Sequence, residues 1–143
     1  MKKIALALML VTVVAWCGAE FVLAAEAAAP QANHVVVYYF HTNFRCPSCY
    51  NMEKWTRELV DSDFQGEQAI GKLTLKIINV ETKGNKHYIS DYGLFTKSVV
   101  LSLVKDGKEV KFNNLGKVWD FLRSGDKFKA YVKDEISKYL KEL

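Results

Sequence analysis

Cysteine, glycine and proline are all scarce in this chain, with three, eight and two copies among 143 residues. A small domain stabilised by disulfides carries several widely spaced cysteines, so that class of fold is excluded. The scattered glycines form no phosphate-binding loop, and we therefore expect no organic cofactor. The net charge is +4, but acidic and basic residues alternate along the chain, so no nucleic-acid-binding face is expected.

The N-terminal segment has the layout of a secretory signal. Two lysines precede a long apolar run, and small residues follow it. We predict a signal peptide or N-terminal anchor over residues 1–25, a short tether over residues 26–33, and export to the periplasm or another extracytoplasmic compartment. At about 20 apolar residues the segment is just long enough to remain as a membrane anchor, although Glu20 interrupts it. Cys17 also has the outline of a lipoprotein cleavage site, except that Trp16 is too large for one.

Residues 34–143 are predicted to form a single domain with one core. Cys46 and Cys49 are the only cysteines in it. Because they are separated by two residues, a disulfide between them would restrain the unfolded chain very little. Their role is therefore expected to be chemical rather than structural.

Strand-like and helix-like patterns alternate along this domain. Residues 35–40 are β-branched or aromatic and uncharged, which predicts a strand buried on both faces. The next segment has apolar residues on one helical face, at Cys49, Met52, Thr56, Leu59 and Val60. Its wet side is predicted to carry two ion pairs four residues apart, Glu53 with Arg57 and Lys54 with Glu58.

The remaining elements complete an α/β pattern. Residues 73–80 and 99–104 are predicted strands, residues 85–92 a short helix or turn, and residues 105–108 the turn of a hairpin that ends with residues 109–112. Two helical patterns, over residues 115–122 and 128–143, close the chain. This order predicts a small mixed sheet with helices on both faces.

The motif Cys46-Pro47-Ser48-Cys49 lies between the first predicted strand and the first predicted helix. Unpaired N–H groups and the positive end of the dipole favour a thiolate at the first turn of a helix. Cys46 is therefore the candidate nucleophile, and Cys49, one turn further, is the candidate resolving thiol. Arg45 places a cation next to Cys46, which is expected to favour the thiolate further.

Residues 34–112 resemble thioredoxin-fold proteins. The resemblance is carried by the C-x-x-C pair at a strand-to-helix junction, and by Asp91-Tyr92-Gly93-Leu94 leading to Val99-Val100-Leu101 and Lys105-Asp106-Gly107. It implies a thioredoxin-like mixed sheet, here with an extra C-terminal helix, and exchange with protein thiols or disulfides or with a partner redox protein. The chain also resembles, more weakly, a group of exported proteins labelled as arsenic-operon or nitrophenyl-compound nitroreductase subunits.

The chain departs from the family pattern on the side that faces the cysteines. The family has a cis-proline before the third strand, where this chain has Ser98 preceded by Lys97. Ser98 and Lys97 are predicted to form the opposite wall of the site, and the Lys97 ammonium would favour the Cys46 thiolate. In the family this proline also discourages metal binding, so its absence strengthens a metal-binding interpretation.

A second departure lies beneath the cysteines. Many family members bury a carboxylate six residues before the first cysteine, and this chain has Phe40 there. The adjacent His41 exchanges protons near neutral pH and could take over that role. Strand alternation is expected to turn His41 to the opposite face from Phe40.

Three functions follow from these residues. The preferred one is an exported thiol-disulfide oxidoreductase that holds no metal. The second is a copper or arsenite binding and delivery protein, in which Cys46 and Cys49 act with Met52 and His41 as soft ligands. The third is a non-catalytic interaction module with a permanent disulfide, for which nearby aromatic residues could supply a recognition surface: Tyr38, Tyr39, Phe44, Tyr50 and Trp55.

Overall fold

The computed structural model describes residues 33–143; the predicted signal segment, most of the tether and Cys17 lie outside them. The elements are β1 (His34–His41), α1 (Pro47–Asp63), α2 (Gln65–Ala69), β2 (Leu73–Asn79), α3 (His87–Asp91), β3 (Ser98–Lys105), β4 (Lys108–Asn114), a 3-10 helix (Gly116–Phe121) and α4 (Gly125–Leu140). Within this described part, no helix is long and apolar enough to span a bilayer.

The four strands form one mixed sheet in the order β2-β1-β3-β4. β1 runs parallel to β2, with Val35 opposite Leu73, because α1 carries the chain back between the two strands. β1 runs antiparallel to β3, which places Phe40 opposite Ser98. The hairpin of β3 and β4 completes the sheet. The prediction of a small mixed sheet is confirmed.

The central strand β1 divides the core into two layers. Successive side chains of a strand point to opposite faces, and residues 35–40 are accordingly buried on both. Val35, Val37 and Tyr39 pack in the layer that contains α1 and α4. Val36, Tyr38 and Phe40 pack in the second layer, which the α3 region covers. Helices therefore lie on both faces of the sheet, as predicted.

Two local predictions have different outcomes. The hairpin turn forms as expected, with positive φ angles of 51° at Asp106 and 74° at Gly107, which suit a tight hairpin connection. The pattern over residues 115–122 forms a 3-10 helix instead of an α-helix. The segment is short, because Ser124 already caps α4 by accepting a hydrogen bond from the Lys127 amide. A segment of this length gains little stability from α-helical hydrogen bonds. The five-residue α2 was not predicted.

Helix α4 supports α1 through an unusually close contact. A Cβ atom at Gly125 would lie only 2.8 Å from the indole ring of Trp55, so the glycine lets the start of α4 approach α1. Trp55 also packs against Phe128, with ring centroids 5.4 Å apart. The helix that begins beside Cys46 thus packs against both the sheet and α4.

Candidate active site

Cys46 occupies the N-cap of α1, where the chain leaves the loop that follows β1. Its backbone is extended, with φ −82° and ψ 164°, and Pro47 takes the first helical position. The Cys46 carbonyl accepts hydrogen bonds from the amides of Cys49 and Tyr50 at 2.9 and 3.2 Å. Cys46 makes no side-chain capping hydrogen bond. Because it is the N-cap residue, it lies at the positive end of a 17-residue helix.

Cys46 and Cys49 are joined in a disulfide, with their Cα atoms 5.1 Å apart. The two residues differ in their surroundings. Cys49 is fully buried, whereas Cys46 is partly exposed. Cys46 is therefore the half of the pair that an incoming sulfur can reach.

Tyr39 connects the central strand directly to the cysteine pair. Its hydroxyl donates a hydrogen bond of 2.7 Å to the carbonyl of Cys49, in a fully buried position. Burial raises the pKa of Tyr39 above its ordinary value, so the hydroxyl keeps its proton and remains a donor. Sequence reasoning assigned Tyr39 to a strand or a recognition surface. Strand alternation, which turns it toward α1, is the signal that could have found this contact.

Arg45 forms an ion pair with Glu53, two turns into α1. Its guanidinium also lies over the Tyr50 ring, 4.5 Å from the centroid. Glu53 accepts a second bond from Arg57 at 2.9 Å, so the predicted Glu53 to Arg57 pair is present. Burial opposes ionisation, but the bonds from Arg45 and Arg57 hold the pKa of Glu53 below its ordinary value. The Arg45 charge thus has a close anionic partner.

Lys97 and Ser98 lie where the chain enters β3. Ser98 is buried, and its hydroxyl donates to the carbonyl of Thr96 at 3.0 Å. Lys97 is partly exposed, with its ammonium 5.8 Å from the ring centroid of Phe44. Because Phe44 belongs to the loop that leads into Cys46, this contact brings Lys97 to the approach of the cysteine pair. No peptide bond in residues 33–143 is cis.

His41 ends β1 and stays partly exposed. Its Nδ1 lies 3.0 Å from the carbonyl oxygen of Thr42. The ring stacks against Tyr39, with centroids 6.1 Å apart, which places the two on the same side of the strand. His41 and Lys97 both line a mainly apolar cavity of about 160 Å³.

The residues weighed as metal ligands differ in their surroundings. Met52 is fully buried in the core layer of α1 and α4, where its carbonyl accepts a bond of 2.7 Å from Thr56. Across residues 33–143, no group of three or more His, Cys, Asp or Glu side chains is placed to hold a metal ion.

The aromatic residues near the pair divide into two groups. Tyr38 and Tyr39 are buried, and Trp55 packs against α4. Phe44 and Tyr50 are 77% and 56% exposed, and Phe95, beside the cavity, is fully exposed. Sequence reasoning missed Phe95, because nothing in its local pattern distinguishes an exposed loop aromatic from a buried one.

No family model matches the chain, and no curated protein matches it. The weaker resemblance to nitroreductase subunits therefore has no support. Among solved structures, a thioredoxin from Fasciola hepatica is 16% identical, with a TM-score of 0.47, over 76% of this chain and 84% of that one. A thioredoxin from Thermus thermophilus is 18% identical, with a TM-score of 0.39, over 63% and 72%.

A third solved structure, thioredoxin O2 from Arabidopsis thaliana in the oxidized state, is 14% identical with a TM-score of 0.38, over 66% of this chain and 74% of that one. At such identities a likeness concerns the fold alone.

Replacing Tyr39 with Phe is expected to destabilise the fold by about 1 kcal/mol, because the Cys49 carbonyl loses a buried donor. Urea unfolding of the oxidised protein measures this change. Tyr139→Phe is the matched control: the Tyr139 hydroxyl is buried in the same core layer without a hydrogen-bond partner in the described structure. That variant should be neutral or slightly more stable. Equal midpoints for the two variants would contradict the anchoring role of Tyr39.

Proposed function

We propose that this chain is an exported thiol-disulfide oxidoreductase, with Cys46 as the nucleophile and Cys49 as the resolving thiol. The observation that carries the proposal is the asymmetry of the pair. Cys46 is partly exposed at the N-cap of α1, and Cys49 is buried one turn further along. An exchange reaction needs one accessible sulfur and one protected sulfur close behind it.

In the reducing direction, the Cys46 thiolate attacks one sulfur of a substrate disulfide. The substrate S–S bond breaks, its other sulfur leaves as a thiolate that takes up a proton, and a mixed disulfide links Cys46 to the substrate. The Cys49 thiolate, having released its own proton, then attacks the Cys46 sulfur and expels the second substrate thiolate, which is also protonated. The substrate gains two electrons and two protons, and Cys46 and Cys49 become a disulfide.

In the oxidising direction the same steps run backwards from the disulfide seen here. A substrate thiolate attacks the Cys46 sulfur and releases Cys49 as a thiolate. A second substrate thiol then displaces Cys46. In both directions Cys46 must carry negative charge, and the start of α1 stabilises that charge.

The surroundings of Cys46 support a polypeptide as the substrate. Phe44, two residues before Cys46, is largely exposed, and Phe95 is fully exposed beside the cavity lined by His41 and Lys97. Exposed aromatic side chains around a cavity suit the apolar side chains that flank a cysteine in another protein. A partner redox protein would restore the starting state of the pair by the same exchange.

Removing each sulfur in turn tests this proposal. Cys46→Ser is expected to abolish turnover of a protein disulfide, because the remaining thiol, Cys49, is fully buried. Cys49→Ser is expected to accumulate a mixed disulfide on Cys46, visible as a mass adduct that dithiothreitol removes. Both variants should fold, since a disulfide between residues this close adds little stability.

The same preparations distinguish the alternative functions. Turnover that survives in Cys46→Ser would exclude Cys46 as the nucleophile. Stoichiometric copper or arsenic on the anaerobically purified wild type, lost in Cys49→Ser and Met52→Leu, would instead favour metal or metalloid delivery. No turnover and no bound metal would favour a non-catalytic interaction module.

We assign Lys97 a supporting role in ionising Cys46, because its ammonium lies against Phe44 at the entrance to the pair. Lys97→Met is expected to lower the thiolate fraction at pH 7 about twofold in the reduced protein, by loss of one nearby positive charge. Absorbance of the thiolate at 240 nm during a pH titration measures this change. An unchanged titration curve would remove Lys97 from the site.

His41 lines the same cavity as Lys97. On that ground we assign it a role in proton exchange.

Export is proposed from the N-terminal sequence, where two lysines, an apolar run and an Ala-rich exit precede the domain. N-terminal sequencing of the protein recovered from its native cell should find cleavage near residues 24–27, in an extracytoplasmic fraction. Recovery of the uncleaved chain in the cytoplasm would contradict export. An uncleaved chain in the membrane fraction would indicate the anchored form.

A further inference from the structure

We infer that Glu53 is a positioning residue that sets the reactivity of Cys46 by forming an ion pair with the Arg45 guanidinium. The inference rests on the proposed function, since it concerns the same sulfur. Arg45 precedes the nucleophile directly. A free guanidinium there would strongly favour the thiolate, but this one is bound.

The contacts of Arg45 follow the side of α1 that carries Tyr50 and Glu53. The guanidinium lies 4.5 Å from the centroid of the Tyr50 ring and 5.9 Å from that of Tyr39. It ends in the ion pair with Glu53. Both partners of that pair are only 16% exposed, so water screens them less than it screens a surface pair. Three groups therefore hold the side chain in place: the two rings and the carboxylate.

Glu53 is shared between two cations. One carboxylate oxygen pairs with Arg45, and the other accepts the 2.9 Å bond from Arg57. Arg57 is half exposed, so its charge is largely hydrated. Seen from Cys46, the field of Arg45 is opposed by a carboxylate that lies beside it. A paired cation stabilises a neighbouring anion less than a free one does.

This arrangement sets the redox behaviour of the pair. Reduction of the disulfide creates the Cys46 thiolate, and any group that stabilises this thiolate also stabilises the reduced form. A more stable reduced form makes the pair a stronger oxidant. Glu53 therefore holds Cys46 at a moderate acidity and the pair at a moderate potential. Removing the Glu53 charge should therefore raise the thiolate fraction of Cys46 and make the reduction potential of the pair less negative.

The test is Glu53→Gln, which keeps the shape of the side chain and removes its charge. In the reduced protein, the thiolate fraction at pH 7 should rise about threefold, as Arg45 becomes an unopposed cation. Equilibration with glutathione should show a less negative reduction potential. The titration needs no substrate, so the inference can fail while the exchange activity stands, or hold when no activity is found.

Three further variants separate charge from structure. Glu53→Asp keeps the carboxylate and should stay close to the wild type. The double variant Arg45→Gln/Glu53→Gln should lose the increase, because it has no free guanidinium beside Cys46. Glu58→Gln removes a carboxylate of the same helix from the exposed pair with Lys54 and should leave the titration unchanged. An increase that persists in the double variant, or is equal in Glu58→Gln, would overturn the inference.

Discussion

The hydrogen bond from Tyr39 to the Cys49 carbonyl ties the cysteine pair to the most deeply buried part of the molecule. Tyr39 belongs to the central strand, which is covered on both faces and paired on both edges. Through this bond the first turn of α1 is fixed to a strand that cannot move without disturbing both core layers. Cys46, the N-cap residue three positions before Cys49, is partly exposed at the start of this anchored turn.

The burial of β1 on both faces explains why so much of the fold was predictable. A strand buried on both faces has a continuous apolar run, and residues 35–40 show one without interruption. The helix after it has a clear apolar face, and the Asp106-Gly107 turn has a strong local preference for a tight hairpin. These signals depend on neighbours in sequence. The 3-10 helix and α2 gave weaker signals, because segments so short are decided by the elements that flank them.

The partners within the site were harder to predict, for a physical reason. Arg45 and Glu53 are eight residues apart, across the boundary between a loop and a helix, and no helical spacing relates them. The sequence did predict the pair of Glu53 with Arg57, which follows the four-residue repeat. It placed that pair on the solvent-facing side, whereas the Glu53 side chain is only 16% exposed. Likewise, Lys97 meets Phe44 only because β3 runs antiparallel to β1.

The burial of Cys49 and Met52 bears on whether the cysteine pair exchanges disulfides or binds a thiophilic ion. A thiophilic ion held by both cysteines needs both sulfurs open toward one point, and a third soft ligand would make the site tighter. Here Cys49 is fully buried, and its carbonyl accepts the hydrogen bond from Tyr39. Met52 packs in the core. Exchange makes a smaller demand, because the sulfurs act one after the other. In the proposed exchange, the substrate sulfur meets only Cys46, and Cys49 then attacks the Cys46 sulfur from the buried side. A half-exposed, half-buried pair at a fixed helix start therefore suits sequential chemistry better than simultaneous coordination.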